Sequence, residues 1–114
     1  MARARACAAL AVVLGALAAE PAMAVDAPVP AGAALYAWHC LPCHAAGAQY
    51  PGTQALQTRY QGTLPPVLTE RTDLSAELVR VVLRQGINIM PFYRRTELSD
   101  AEVGAIADYL ARPR

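Results

Sequence analysis

Both histidines and two of the three cysteines of this chain of 114 residues fall within the six positions 39–44, inside the stretch YAWHCLPCHAAG. Thiolates are soft metal ligands and imidazoles borderline ones, and a thiol also forms covalent bonds to conjugated groups. The run Cys40-Leu41-Pro42-Cys43-His44 fits the C-x-x-C-H pattern by which haem c is attached to a polypeptide. The spacing has a mechanical reason. Two cysteines three positions apart on one tight turn reach the two vinyl groups of one porphyrin and form two thioether bonds. The next residue, His44, is then placed beneath the iron, where its imidazole can donate a nitrogen lone pair.

Two other chemistries use these side chains. Cys-x-Pro-Cys also resembles the redox motif of thiol–disulfide exchangers. That activity belongs to a βαβ architecture with a central sheet, which the sequence does not supply. A structural zinc site wants four ligands around one ion. Here Cys40, Cys43, His39 and His44 are too crowded along the chain to surround one.

A haem iron held by His44 has a second axial position. His39 sits beside Cys40, on the same side of the porphyrin, and cannot reach the opposite face. Met90 is the only methionine beyond residue 24. It lies in an irregular segment, INIMPFYRRTEL, and precedes Pro91. A lone methionine is usually core filler, but in such a segment its thioether can be aimed at a cofactor. Met90 is therefore the expected second iron ligand.

The elements that must position these groups are legible in outline. Arg3 and Arg5, the apolar run at 8–19 and the small residues AMA at 22–24 form the three-part pattern of a secretory signal, with cleavage expected after Ala24. The run is too short for a membrane span, which needs about 20 apolar residues. Cys7 would leave with the signal. Residues 25–31, rich in Pro and Ala, read as a flexible lead-in, and 32–114 as one domain. Without Arg3, Arg5 and Glu20 the chain holds eight Arg, no Lys and eight acidic residues. This balance gives no sign of a nucleic acid or an anionic membrane as partner. Export also suits the motif, since haem is attached to such sites outside the cytoplasm.

Residues 32–40 read as a helix with Leu35, Trp38 and His39 on one side. Residues 45–70 read as a long loop with a short helix at 53–60, an extent of irregular chain that suggests a non-protein core. Residues 73–86 read as a helix with Ser75 as N-cap, Gly86 as C-cap and an apolar stripe of Leu78, Val79, Val82 and Leu83. Residues 99–112 open on a capping box, Ser99 with Glu102, and place Val103, Ile106, Ala107 and Leu110 on one face. Strand signals are weak and isolated, so the fold class is all-α with three to four helices.

The order Gly32-x-x-x-Tyr36, Cys40–His44, a proline-containing loop, Met90-Pro91 and a last helix bearing Tyr109 resembles the monohaem class I c-type cytochromes across residues 32–111. The resemblance implies a small cytochrome c fold, its helices packed around one covalently attached haem. In that family the first and last helices cross near a right angle, with a glycine at the close approach and aromatics beside it; Gly32, Tyr36 and Tyr109 match. The family also sets a proline carbonyl to accept a hydrogen bond from the second nitrogen of the ligand histidine, a role that falls to Pro65 or Pro66. Within the family, residues 51–74 together with 90–100 are similar to the small cytochromes that partner flavin-containing hydroxylases and dehydrogenases of phenolic substrates, the p-cresol methylhydroxylase type.

An iron bound on both faces has no free position for oxygen, peroxide or substrate. What remains is ferric–ferrous cycling, and thioether ligation raises the potential. The expected function is thus outer-sphere transfer of single electrons in the periplasm, between a dehydrogenase and a downstream acceptor, and not catalysis. Arg80, Arg84, Arg94 and Arg95 could form a basic docking rim for a redox partner such as a flavoprotein subunit, or else a solvated face with ion pairs to Glu77 and Glu97. The competing reading is a haem enzyme or gas sensor with an open iron position, which would require Met90 to lie away from the iron.

Overall fold

The protein is described by a computed structural model covering residues 31–113. The expected signal at 1–24 and the lead-in up to residue 30 lie outside the described residues.

The chain begins with helix α1 (Gly32–His39), followed after Cys40 by the single turn α2 (Leu41–His44). Cys40 leaves the helical line (φ −109°), and Pro42, lacking an N–H, sits in the first turn of α2, where none is needed. Pro51 opens helix α3 (Pro51–Tyr60) in the same way. Gln61 ends it in the left-handed region, followed by Gly62 at φ 86°. A 3₁₀ turn at Leu68–Glu70 precedes helix α4 (Ala76–Gln85) and helix α5 (Asp100–Leu110). No β-strand occurs among the described residues, only an isolated antiparallel pair, Ile87 with Met90. The fold is all-α. Four helices have eight or more residues, in line with the expected three to four, and α2 is the extra turn that the haem motif itself forms.

The local signals at the caps are realised. The Ser75 hydroxyl accepts from the Leu78 N–H at 3.1 Å, and Gly86 closes α4. At α5 the capping box is complete in both directions. The helix at 53–60 starts two residues earlier than expected, because Pro51 fits N1 as a starter.

Helix α5 is the spine of the core. Val103, Ile106, Ala107 and Leu110 are buried from it and meet Leu35, Tyr36 and Cys40 from α1 and its end, Val79 and Leu83 from α4, and Leu98 from the preceding loop. Gly32 is required where α1 crosses α5. A Cβ there would lie 2.1 Å from the Ala105 carbonyl oxygen and 2.8 Å from Tyr109 Cβ. Beside the crossing the rings of Tyr36 and Tyr109 stack at 5.5 Å, tilted by 42°.

Two expected faces need correction. Trp38 does not join Leu35 on the buried side of α1; it is 79% exposed, and Tyr36 is buried in its place. Once Gly32 fixes the close approach, Tyr36 and Cys40 follow at i+4 steps on the same face, and a residue two positions from Tyr36 points away. On α4, Leu78 is 46% exposed, so the buried stripe narrows to Val79 and Leu83 with Val82 half-buried.

Candidate metal centre

Cys40 sits at the junction of α1 and α2. Its carbonyl accepts from the His44 N–H at 2.8 Å and the Cys43 N–H at 3.1 Å, so the two cysteines and the histidine share one hydrogen-bonded turn. Both thiols are free, Cys40 buried and Cys43 exposed. Burial, and secondarily the neighbouring Cys43, pushes the Cys40 thiol up to about 11. A disulfide exchanger needs the opposite, a nucleophilic thiol whose pKa is depressed.

His44 ends α2 and is buried. Burial lowers its pKa, favouring the neutral imidazole, the form that can bind a metal. The ring is held by the start of α3. A Cβ on Gly52 would lie 2.6 Å from His44 Cε1, 2.8 Å from its Nδ1 and 2.8 Å from the Cys43 carbonyl oxygen. The adjacent Thr53, also buried, donates its hydroxyl to the Ala45 carbonyl at 2.8 Å, pinning α3 to the residue after His44.

The His44 Nδ1 is buried without a hydrogen-bond partner. The orienting bond expected from Pro65 or Pro66 is therefore not made here. Gly52, in the first turn of α3, stands against the Cε1–Nδ1 edge of the ring. Pro66 instead lines a cleft against Thr53, Gln54 and Gln57 of α3.

Met90 closes a four-residue turn. The Ile87 N–H donates to the Met90 carbonyl at 3.1 Å, and the Met90 N–H to the Ile87 carbonyl at 2.9 Å. Asn88 takes φ 52° within it. Gly86 enters the turn at φ 71°, where a Cβ would lie 2.7 Å from the Met90 carbonyl oxygen. The Met90 side chain is half-buried against the core, while Ile87, Ile89 and Phe92 around it are exposed, at 46%, 80% and 57%. These three exposed apolar side chains fall within six positions of the sequence.

The loop beyond Met90 is braced from α4 and α1. The Arg84 guanidinium donates to the carbonyls of Tyr93 at 3.0 Å and Leu98 at 2.9 Å, and to Asp100 at 2.7 Å. Tyr93 donates its N–H to the Leu83 carbonyl at 2.8 Å and its hydroxyl to the His39 carbonyl at 2.9 Å. Each of the four arginines of the expected docking rim is ion-paired: Arg80 with Asp108, Arg84 and Arg95 with Asp100, and Arg94 with Glu97. Glu97 was an expected partner; Asp100 and Asp108 take the place of Glu77. Arg84, whose side chain is only 20% exposed, is a structural brace and not a free docking charge.

Sequence reasoning missed Gly52 and Thr53, for which the adjoining PGT, with a helix-starting proline, was the available signal. Among the described residues no three His, Cys, Asp or Glu side chains gather to hold a metal ion. The chemistry present is two thiols on one turn, a neutral imidazole, a thioether and uncovered apolar side chains. That donor set fits haem c and does not fit a zinc ion.

No curated protein matches the chain. Among solved structures it is similar to cytochrome c6C from Synechococcus sp. PCC 7002, with 23% identity over 70% of this chain and 89% of that one, at a TM-score of 0.44. The family described as cytochrome c oxidase, cbb3-type, subunit III matches residues 27–110. With most of its length inside that match, the chain belongs to this family of c-type cytochromes, which carry covalently bound haem c.

Proposed function

We propose that Cys40 and Cys43 bind the haem through thioethers, that His44 and Met90 ligate its iron, and that the protein passes single electrons between redox partners. The observation that carries this reading is the anchored Met90 turn, which sets the one thioether among the described residues beside exposed apolar side chains beyond the C-x-x-C-H turn. Haem supplies reversible one-electron chemistry when bound. The residues of the chain do the rest. The α1–α2 junction fixes the attachment point, Gly52 and Thr53 hold the His44 ring, and the turn at 87–90 holds the thioether. Packed against a bound haem, Ile87, Ile89 and Phe92 would exclude water from it, which favours the less charged, reduced state.

The donor we propose is a dehydrogenase, specifically a flavoprotein acting on phenolic substrates. Support for it is the likeness of residues 51–74 and 90–100 to the partners of such enzymes. The family's description, which names an oxidase subunit, supports a terminal oxidase as acceptor. The signal-like pattern at 1–24 supports export to the periplasm. No helix among the described residues is long and apolar enough to cross a membrane.

The test is to purify the protein from its native host with bound partners. A haem spectrum that survives acid–acetone extraction, together with a copurifying flavoprotein, supports the reading. Colourless protein overturns it, and a coloured protein that is not reduced by any flavoprotein dehydrogenase overturns the choice of donor.

A further inference from the structure

Tyr93 joins three parts of the site. Its hydroxyl donates to the His39 carbonyl at 2.9 Å, across 54 positions of sequence. His39 is the residue immediately before Cys40, so this bond lands on the attachment turn. The Tyr93 ring stands edge-on to the His39 ring at 5.9 Å. Its N–H is held by the Leu83 carbonyl and its own carbonyl by Arg84, both at the end of α4. Met90 lies three residues upstream, with Pro91 between them fixing one backbone angle. Three residues span at most about 10 Å, so little slack separates the anchor from the ligand.

A thioether is a neutral and weak iron ligand. Whether it stays bound against a competitor depends on the free energy of swinging its loop away. Every tie that must break before the loop opens shifts that equilibrium toward the closed state. Arg84 and Leu83 tie the loop to α4, the helix that leads into it. The Tyr93 hydroxyl is the tie that runs to the attachment side, and so fixes the span between the two places where the chain grips the cofactor.

We propose that Tyr93 is a positioning residue, whose hydroxyl bond to the His39 carbonyl holds Met90 on the iron and sets its resistance to displacement. The inference rests on Met90 being the axial ligand. Tyr93→Phe keeps the ring and removes the bond. The assay is titration of the ferric, haem-loaded protein with imidazole, followed through loss of the long-wavelength sulfur-to-iron absorption band. The expected result is imidazole binding tightened about three- to ten-fold, the factor of one ordinary hydrogen bond. Unchanged imidazole affinity overturns the proposal. So does a lowered melting temperature with unchanged affinity, which would assign Tyr93 to general stability. If the wild-type protein lacks the sulfur band, Met90 ligation itself fails and takes this inference with it, an outcome distinct from the other two. Should Tyr93→Phe fail to fold, Tyr93→Leu removes the same hydroxyl with a smaller apolar side chain; it is expected to shift the titration in the same direction, and an unchanged affinity there overturns the proposal equally.

Discussion

Replacing Gly52 by alanine probes the support of His44 with a single added methyl group. The new Cβ would lie 2.6 Å from His44 Cε1, 2.8 Å from His44 Nδ1 and 2.8 Å from the Cys43 carbonyl oxygen. Ordinary contact begins at 3.4 Å, so the neighbours must retreat by six to eight tenths of an ångström. Two of the three atoms belong to an imidazole that iron ligation would hold in place. The third is backbone within the C-x-x-C-H turn, itself fixed by hydrogen bonds from Cys43 and His44 to Cys40. Neither can yield cheaply. Overpacking of this kind costs about 1–3 kcal/mol. Alanine's better helix propensity returns up to about 1 kcal/mol. The net expectation is a loss of roughly 1–2 kcal/mol, and for a domain of this size a fall in melting temperature of about 4–16 °C. Gly104 is the internal control. It lies inside α5, and a Cβ there meets nothing within 4 Å, so Gly104→Ala should stabilise by roughly 0.5–1 kcal/mol. The assay is thermal melting of haem-loaded protein by circular dichroism, with the visible spectrum recorded alongside. If Gly52→Ala melts like Gly104→Ala and leaves the ferric spectrum unchanged, α3 does not brace the histidine and the reasoning fails.

Further outcomes are expected elsewhere. Ser99→Ala removes one half of the α5 capping box and should cost about 1 kcal/mol in chemical denaturation, with Asp108→Ala, farther along the same helix, as a weaker comparison. The Arg71 guanidinium holds the Asp73 carboxyl below the usual carboxylate range, with one hydrogen bond at 2.8 Å and a second from Nη2. A depressed folded pKa contributes stability above the unfolded value of about 3.9, and the contribution is lost as pH falls through the lower folded value. Asp73→Asn should therefore lower the melting temperature at neutral pH and flatten its decline below about pH 4; an unaltered acid profile would remove this pair from the account. Arg94→Gln combined with Arg95→Gln should slow reduction by the native donor more than reduction by a small neutral reagent. Equal slowing of both would count against docking at this edge.

What was legible in the sequence was local. Helices α4 and α5 announce themselves through caps within four residues of the groups they satisfy, Ser75 for Leu78 and Ser99 for Glu102. The C-x-x-C-H motif is read from covalent spacing alone. Helix α1 was misread because Ala33, Ala34 and Ala37 give it apolar residues on every side. Its orientation is decided by the Gly32 contact with Ala105, more than seventy residues away in sequence. The braces of the site are hidden for the same reason. Nothing in the string PFYRR shows that Tyr93 reaches back to His39 or that Arg84 gathers two loop carbonyls. The placement of α3 against His44 is likewise a packing outcome, foreshadowed only by the proline and glycine at its start.

The claim on which the functional reading depends is that the iron is held from both sides, by His44 and by Met90. The most direct test is the ferric absorption spectrum and the midpoint potential of Met90→Ala, measured beside the wild-type protein. The account predicts that the wild type shows the sulfur-to-iron band, that the variant loses it, and that the potential of the variant falls. A variant with the same spectrum and the same potential would contradict it.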